Sequence, residues 1–416
     1  LIREMRLVQI LIFFLIASSV EIIAQDFFIR SLRCYSTNDE TSLPVVEARL
    51  DNTITIEFDL QSNSIPSLNI IFKFCDSDWQ PYDNAFLVNP VYNTEHNLYF
   101  ERLPSTVTGA RYHYKGSFPN QNVNFPFAGK WQYLIVDSQN PDLIYSSGRF
   151  YVVNESVNLK TGIFKERLEG AVPDDPSLGR TIDIRTNVIL PDSLYQSQLK
   201  RIEIIENRKI FDPIIVDRIA RTIDRFYEWN GSNSFSFIAR QILPGNEYRQ
   251  TDFRNVNRFP PGEINAQHIG VETSDFFKKH PADLNGGEIL SDYRDRYSDY
   301  LTVNFKLRSP ENITSPIFLV GSFTNWKVMP EYEMFDDNGL MNIAVQLKRG
   351  IYDYQYVTAN NVNGEIKNIN WHILEGNFWE TKNEYHIFLF YEATEKGGYD
   401  KIIGYKKITS GEIWTK

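Results

Sequence analysis

Apolar and polar residues alternate with a period of two along most of the chain. Ile54, Ile56, Phe58 and Leu60 take turns with Thr53, Thr55, Glu57 and Asp59, the signature of a strand with one buried and one wet face. Leu301, Val303, Phe305 and Leu307 repeat the pattern against Thr302, Asn304 and Lys306. Trp131, Tyr133 and Ile135 mark one face of a strand over Gly129 to Val136. Ile70 to Phe74, Arg149 to Val153, Arg180 to Ile189, Arg201 to Glu206, Leu340 to Leu347 and His386 to Tyr391 add further strands. Turn chemistry separates them. Asn230-Gly231 and Asn363-Gly364 are hairpin signals, and Asp336-Asp337-Asn338-Gly339 turns the chain again. Beyond the first two dozen residues no segment carries a helical period.

These elements predict an all-β chain of tandem immunoglobulin-like antiparallel β-sandwich domains. The divisions read from the pattern are a first sandwich over 25–155, a middle β domain with an irregular linker over 156–298, and a third, early-set immunoglobulin-like sandwich over 299–416. The third is organised around Ile317 to Met334. Ile317 to Val320 reads as a buried strand, Gly321 releases the backbone, and Phe323 and Trp326 follow in a turn that ends near Pro330. An exposed Trp326 would make this a sugar- or protein-binding edge; a buried one makes it a plug over the sandwich end, the reading preferred here. Trp79, Phe323, Trp326 and Trp371 are the candidate interaction residues, because aromatic anchors dominate protein interfaces.

Residues 1–24 read as a secretory signal peptide. Met5-Arg6 precedes the apolar run Leu7 to Ala17, and Ile22-Ile23-Ala24 before Gln25 offers a cleavage point. Later segments fall short of the roughly 18 uninterrupted apolar residues that a membrane helix needs. The expected protein is exported, with no direct membrane span.

Composition sharpens the picture in a few places. Aromatic residues make up 14% of the chain, which suits strands more than helices. A formal net charge of -10 argues against a nucleic-acid partner, whose phosphates require a Lys/Arg footprint. Two cysteines, Cys34 and Cys75, are too few for a disulfide framework, and whether they pair is unreadable from sequence. Nucleophile elbows, phosphate loops, dinucleotide fingerprints and zinc helices are all absent, and the six histidines are scattered. No catalytic, cofactor-binding or metal-ligating residue is therefore nominated, and the chain reads as non-enzymatic. Asp283-Leu284-Asn285-Gly286 has the spacing that opens a calcium loop, but Gly287 stands where a fifth-position ligand is needed, so a tight turn is preferred. Asp76 and Asp78 before Trp79 read as Asx-turn chemistry, not as an acid/base pair. Arg249 and Arg254, near Glu247 and Asp252, read as an ion-paired rim.

Two resemblances follow. Val320-Gly-Ser-Phe-Thr-Asn-Trp326 with Gly350-Ile-Tyr-Asp-Tyr-Gln-Tyr-Val357 resembles the glycogen-binding-like early-set immunoglobulin-like domains. The second covers nearly the whole mature chain. Cys34-Tyr-Ser-Thr-Asn-Asp-Glu, Phe72-Lys-Phe-Cys-Asp-Ser-Asp-Trp-Gln-Pro, Gly148-Arg-Phe-Tyr-Val-Val and Leu243-Pro-Gly-Asn-Glu-Tyr-Arg-Gln-Thr-Asp-Phe-Arg occur in that order. Asp283-Leu-Asn-Gly-Gly, Phe318-Leu-Val-Gly-Ser-Phe-Thr-Asn-Trp, Glu375-Gly-Asn-Phe-Trp and Asp400-Lys-Ile-Ile-Gly complete the series. Together they resemble the type IX secretion system plug proteins of Bacteroidetes. The resemblance implies a periplasmic, non-catalytic protein without cofactors, peripherally associated with the outer membrane. Its partner would be the large outer-membrane translocon barrel, whose periplasmic mouth it seals when no substrate-accepting partner is bound. The alternative is an exported carbohydrate-binding protein or a cell-surface β-sandwich adhesin, motivated by Phe323, Trp326 and Trp371.

Overall fold

The computed structural model describes residues 27–48, 52–88, 91–168, 179–268, 270–274 and 283–410. The signal-peptide expectation for 1–24 lies outside them, as does His280. Among the described residues the chain is nearly all strand, and the single α-helix is the four-residue turn Ala85–Val88. Six sheets pair into three β-sandwiches. Most pairings are antiparallel; short parallel ones join Val45–Glu47 to Tyr151–Val153, and Glu263–Asn265 and Glu272–Thr273 to Tyr300–Arg308.

In the first sandwich, a four-stranded sheet runs in the order Phe27–Ser36, Ile54–Ser62, Tyr112–Phe118, Glu101–Arg102. It faces a five-stranded sheet ordered Val45–Glu47, Ile144–Val153, Gly129–Asp137, Leu68–Cys75, Thr94–Glu95. Ile54, Ile56, Phe58 and Leu60 point into the shared core with Phe72, Trp131 and Phe150, as their alternation predicts. The opposite face is not wet, however. Thr55, Glu57 and Asp59 are buried as well, because other parts of the chain pack over them. Cys34 and Cys75 are both buried and are not bonded to each other.

The middle sandwich departs from the contiguous division. One sheet is local, ordered Leu159–Arg167, Arg180–Ile189, Ser234–Ile242, Arg225–Trp229, and contains the expected hairpin at Asn230-Gly231, with Gly231 at φ +80. The other is ordered Ile214–Asp217, Leu199–Glu206, Glu384–Ala393, Tyr399–Thr409. Ile202 lies opposite Leu389 and Ile204 opposite Ile387, so the last hairpin of the chain completes the middle sandwich. The third sandwich, with strands from Arg249–Asp252 to Glu365–Asn370, is therefore inserted between Ile242 and Glu384. The 156–298 and 299–416 divisions are corrected accordingly. The irregular linker expected before 298 is corrected in its described parts, since Glu272–Thr273 and Glu288–Leu290 join the sheets of the third sandwich.

At the centre of the third sandwich is the long strand Gly350–Val362, which pairs with Arg249–Asp252, Glu288–Leu290, Ile317–Gly321 and Glu365–Asn370. Tyr352, Tyr354 and Tyr356 point into the core with Phe305 and Leu319. Gly321 does not supply the turn that follows. Its φ of -175 is extended backbone, and the reversal is made by Asn325 at φ 50 and Trp326 at φ 58. Glycine is needed at 321 for closeness, because a Cβ there would come within 2.6 Å of the Asp353 carbonyl oxygen.

Candidate interaction surface

The four aromatic candidates are not gathered on one surface. Trp79 is 7% exposed, Trp326 1% and Trp371 8%, and each sits at an internal junction. As exposed anchors these three are corrected: an indole that is covered by its own chain has no free face for a partner. Only Phe323, half-buried, lines an open cavity.

Trp79 lies where the first sandwich meets the middle one. Asp76 Oδ1 accepts hydrogen bonds from the amides of Asp78 (2.8 Å) and Gln80 (2.9 Å), an Asx turn that swings Trp79 inward. Its ring packs edge-on to Tyr151 at 5.4 Å, and Tyr151 stacks on Phe388 of the C-terminal hairpin at 4.1 Å. Beside this apolar seam, Lys130 pairs with Glu203 at 2.8 Å and donates to the Ser77 carbonyl at 2.6 Å. Arg201 pairs with the same Glu203 at 2.6 Å and also donates to the Ser77 carbonyl. Burial pushes the Lys130 ammonium down despite Glu203. Removing one member of such a set leaves an unmatched charge, at a cost of about 3–5 kcal/mol.

The first and third sandwiches meet at Asp59. Its carboxylate takes hydrogen bonds from Lys348 (2.8 Å) and the Tyr300 hydroxyl (2.9 Å), both in the third sandwich, and lies 2.7 Å from His113 Nδ1. Burial alone would raise the Asp59 carboxyl, but His113 and Lys348 hold it below the ordinary range. Tyr293 covers the His113 ring at 3.8 Å.

Trp326 closes one outer face of the third sandwich. The indole rests on Tyr248 at 4.1 Å and donates from Nε1 to the Gly286 carbonyl at 2.7 Å. Gly286, at φ +83, is close enough that a Cβ would lie 2.8 Å from Trp326 Nε1. The Asp283-x-Asn285-Gly286 motif thus forms the seat of the indole. Asp283 uses both oxygens on backbone amides, those of Tyr248 and Asn285, and Asp353 Oδ2 accepts from the amides of Leu284 (2.6 Å) and Gly286 (3.0 Å). Among the described residues no group of His, Cys, Asp and Glu is placed to hold a metal ion. Trp371 ties this sandwich to the middle one, donating to Asp212 at 2.5 Å with Lys209 4.5 Å from its ring.

Arg249 is not part of a surface rim. It is buried, paired with Glu375 and Glu272 at 2.8 Å each, and Tyr354 and Tyr356 donate to the same Glu272. Only Arg254 and Asp252 form the exposed pair expected there.

The three sandwiches leave a cleft of about 950 Å³ at their common junction. Its walls come from Phe28 to Leu32 and Ser146 to Arg149 of the first sandwich, Arg208, Ile210 and Phe211 of the middle one, and Phe323 to Asn325, Lys327 and Ile343 to Leu347 of the third. Sequence reasoning missed this cleft and the ionic junctions around it. Charges on alternating strand positions read as a solvated face. One available signal was Glu203, which interrupts the otherwise apolar run Ile202 to Ile205.

Comparison with known proteins agrees with this architecture. A crystal structure of a hypothetical protein from Parabacteroides merdae ATCC 43184 is similar, with a TM-score of 0.73 at 19% sequence identity over 93% of this chain and 98% of that one. At that identity the likeness shows a shared fold. No curated protein matches the chain. The family model described as "Type 9 secretion system plug protein 1st domain" matches residues 29–154, which coincide with the first sandwich. Residues 29–154 are therefore similar to the first domain of type 9 secretion system plug proteins.

Proposed function

We propose that the chain is a non-enzymatic periplasmic plug. It binds the periplasmic mouth of the type IX outer-membrane translocon barrel and seals it when no substrate-accepting partner is bound. The observation that carries this reading is the family match over the whole first sandwich. The build of the molecule supports it. A plug has to hold its shape against a wide opening, and the three sandwiches are joined by buried seams, with Asp59 bound to Lys348 and Lys130 to Glu203 across domain boundaries. Desolvated charge-paired contacts of this kind fix one relative orientation.

The glycan-binding alternative loses its motive, since Trp326 presents no free stacking face. Affinity purification of the full chain from detergent-solubilised envelopes tests the plug. The large barrel is expected in the eluate at near-stoichiometric yield. An eluate without it overturns the proposal.

A further inference from the structure

The cleft at the triple junction has two properties that pore sealing does not use. The first is that its walls are unpaired strand edges. Ser146 to Arg149 pair on one side with Gln132 to Ile135, while on the other side Val45–Glu47 reaches only Tyr151–Val153. Ile343 to Leu347 pair on one side with Leu301 to Phe305, and Phe335–Asp337 covers only Leu340 to Asn342 on the other. Among the described residues these edges have no further strand partner. An open edge offers a row of N–H and C=O groups to an extended chain.

The second property is charge. The Arg149 guanidinium lies 4.5 Å from the Trp79 ring and 4.5 Å from the Phe211 ring, and has no carboxylate at ion-pair distance among the described residues. Lys327 lies 5.6 Å from the same Phe211 ring and likewise has none. Arg208 is held by backbone carbonyls, those of Ser42 at 2.5 Å and Cys34 at 3.0 Å. With Arg30 these make four cations around the cleft, against the acids Glu288 and Glu331. This is an excess of positive charge in a chain whose net charge is -10.

We infer that the cleft takes an extended, carboxylate-bearing segment of a partner polypeptide, added as a strand to the Ser146–Arg149 edge with its carboxylates against Arg149 and Lys327. Main-chain hydrogen bonds would supply affinity, and the cations would select acidic side chains. The volume exceeds what one small anion fills, and the apolar rings of Phe211 and Phe323 suit the alternate residues of a strand. The inference does not rest on the plug reading, because it is argued from the open strand edges and the unpaired cations of the cleft alone.

The test is to pan a random decapeptide library against the full chain and measure the enriched peptides by fluorescence anisotropy. The expected peptides alternate Asp or Glu with apolar residues. Arg149→Ala and, separately, Lys327→Glu are expected to weaken them by about tenfold or more. Lys327 is solvent-exposed, so its variant keeps the test open if Arg149→Ala disturbs the Trp79 seam. Hydrogen exchange should slow at residues 146–149 in the complex, and N-methylation of alternate peptide amides should abolish binding. Enrichment of uncharged or basic peptides, no enrichment, full competition by millimolar free glutamate, or binding indifferent to Lys327→Glu overturns the inference.

Discussion

Trp326 shows how one side chain can decide between functions. As an exposed ring it would be a platform for a sugar; as a buried one it is a keystone, bonded to Gly286 and stacked on Tyr248. Trp326→Ala should therefore destabilise the chain by about 3–5 kcal/mol in urea unfolding, as large-to-small changes at buried aromatics do. Titration with soluble glycans should leave the tryptophan emission of the native protein unchanged. Titratable residues give a second expectation. Burial alone would raise the Glu57 carboxyl, but Arg33, Tyr35 and Lys115 hold it down, to about 2. A depressed carboxyl stabilises fully above its ordinary value near 4.5 and loses that contribution as the pH falls through about 2. Burial, with Lys209 nearby, pushes His372 down to about 3 from 6.5, so the fold holds it neutral. Its contribution is whole above pH 6.5 and fades as the pH falls toward 3. Asp283 has the opposite sign: burial and Asp353 raise its carboxyl, so it costs stability as the pH rises. Between pH 6.5 and 4.5 the two oppose each other, so His372→Gln should shift the change in urea midpoint on acidification toward a gain, relative to the native protein. Unchanged slopes in that variant would assign the acid sensitivity elsewhere. The burial of Trp326 was the reading preferred from the sequence, but its partners and the burial of His372 were not legible, because a histidine in a loop looks the same whether it faces solvent or another domain.

At the scale of elements, the strands themselves were readable. The alternation at Ile54–Ser62, Tyr300–Arg308 and Gly350–Val362 is carried by residues close in sequence, and each forms where its period predicts. Pairing is a different matter. Leu199–Glu206 joins Glu384–Ala393 across the whole inserted third sandwich, and no local pattern records so distant a partner. The wet faces were misassigned for the same reason: Asp59 and Glu203 are polar, as a solvated face requires, yet lysines of other sandwiches bind them. A direct consequence concerns the C-terminal hairpin. A chain ending at Asn383 loses two of the four strands of one middle sheet, together with Phe388, Phe390 and Ile402 from the seam against the first sandwich. Limited proteolysis of that truncation should cut within 156–242 first and leave the third sandwich resistant longest. A truncation that loses the third sandwich instead would restore the contiguous division. Phe388 and Tyr151 stack across the same seam, so Phe388→Ala should loosen the first and middle sandwiches together. Two separate unfolding transitions by calorimetry, where the native protein shows those domains melting as one, are the expected sign.

The whole molecule is three sandwiches joined by buried seams, the first of which matches the type 9 secretion system plug protein first domain. The likeness of the first sandwich was legible in motifs such as Phe72 to Pro81, and the motifs further along lie at junctions that the fold depends on: Trp79, Arg249, Gly286, Trp326 and Asp400 all bind residues from distant parts of the chain. The cleft was not legible, since it is made of gaps between domains and not of any one segment. Lys348→Ala offers a way to separate rigidity from contact. It leaves Asp59 without its ammonium partner across the first and third sandwiches, which should cost about 3–5 kcal/mol and loosen that hinge without touching the outer surface. If rigidity matters for sealing, this variant should bind the barrel and seal it poorly. The most direct measurement is ion conductance of the purified type IX translocon in a planar bilayer, before and after the full chain is added to the periplasmic side. A fall in conductance that saturates at one chain per barrel is predicted, and an open pore with the chain bound, or no binding at all, would contradict the account.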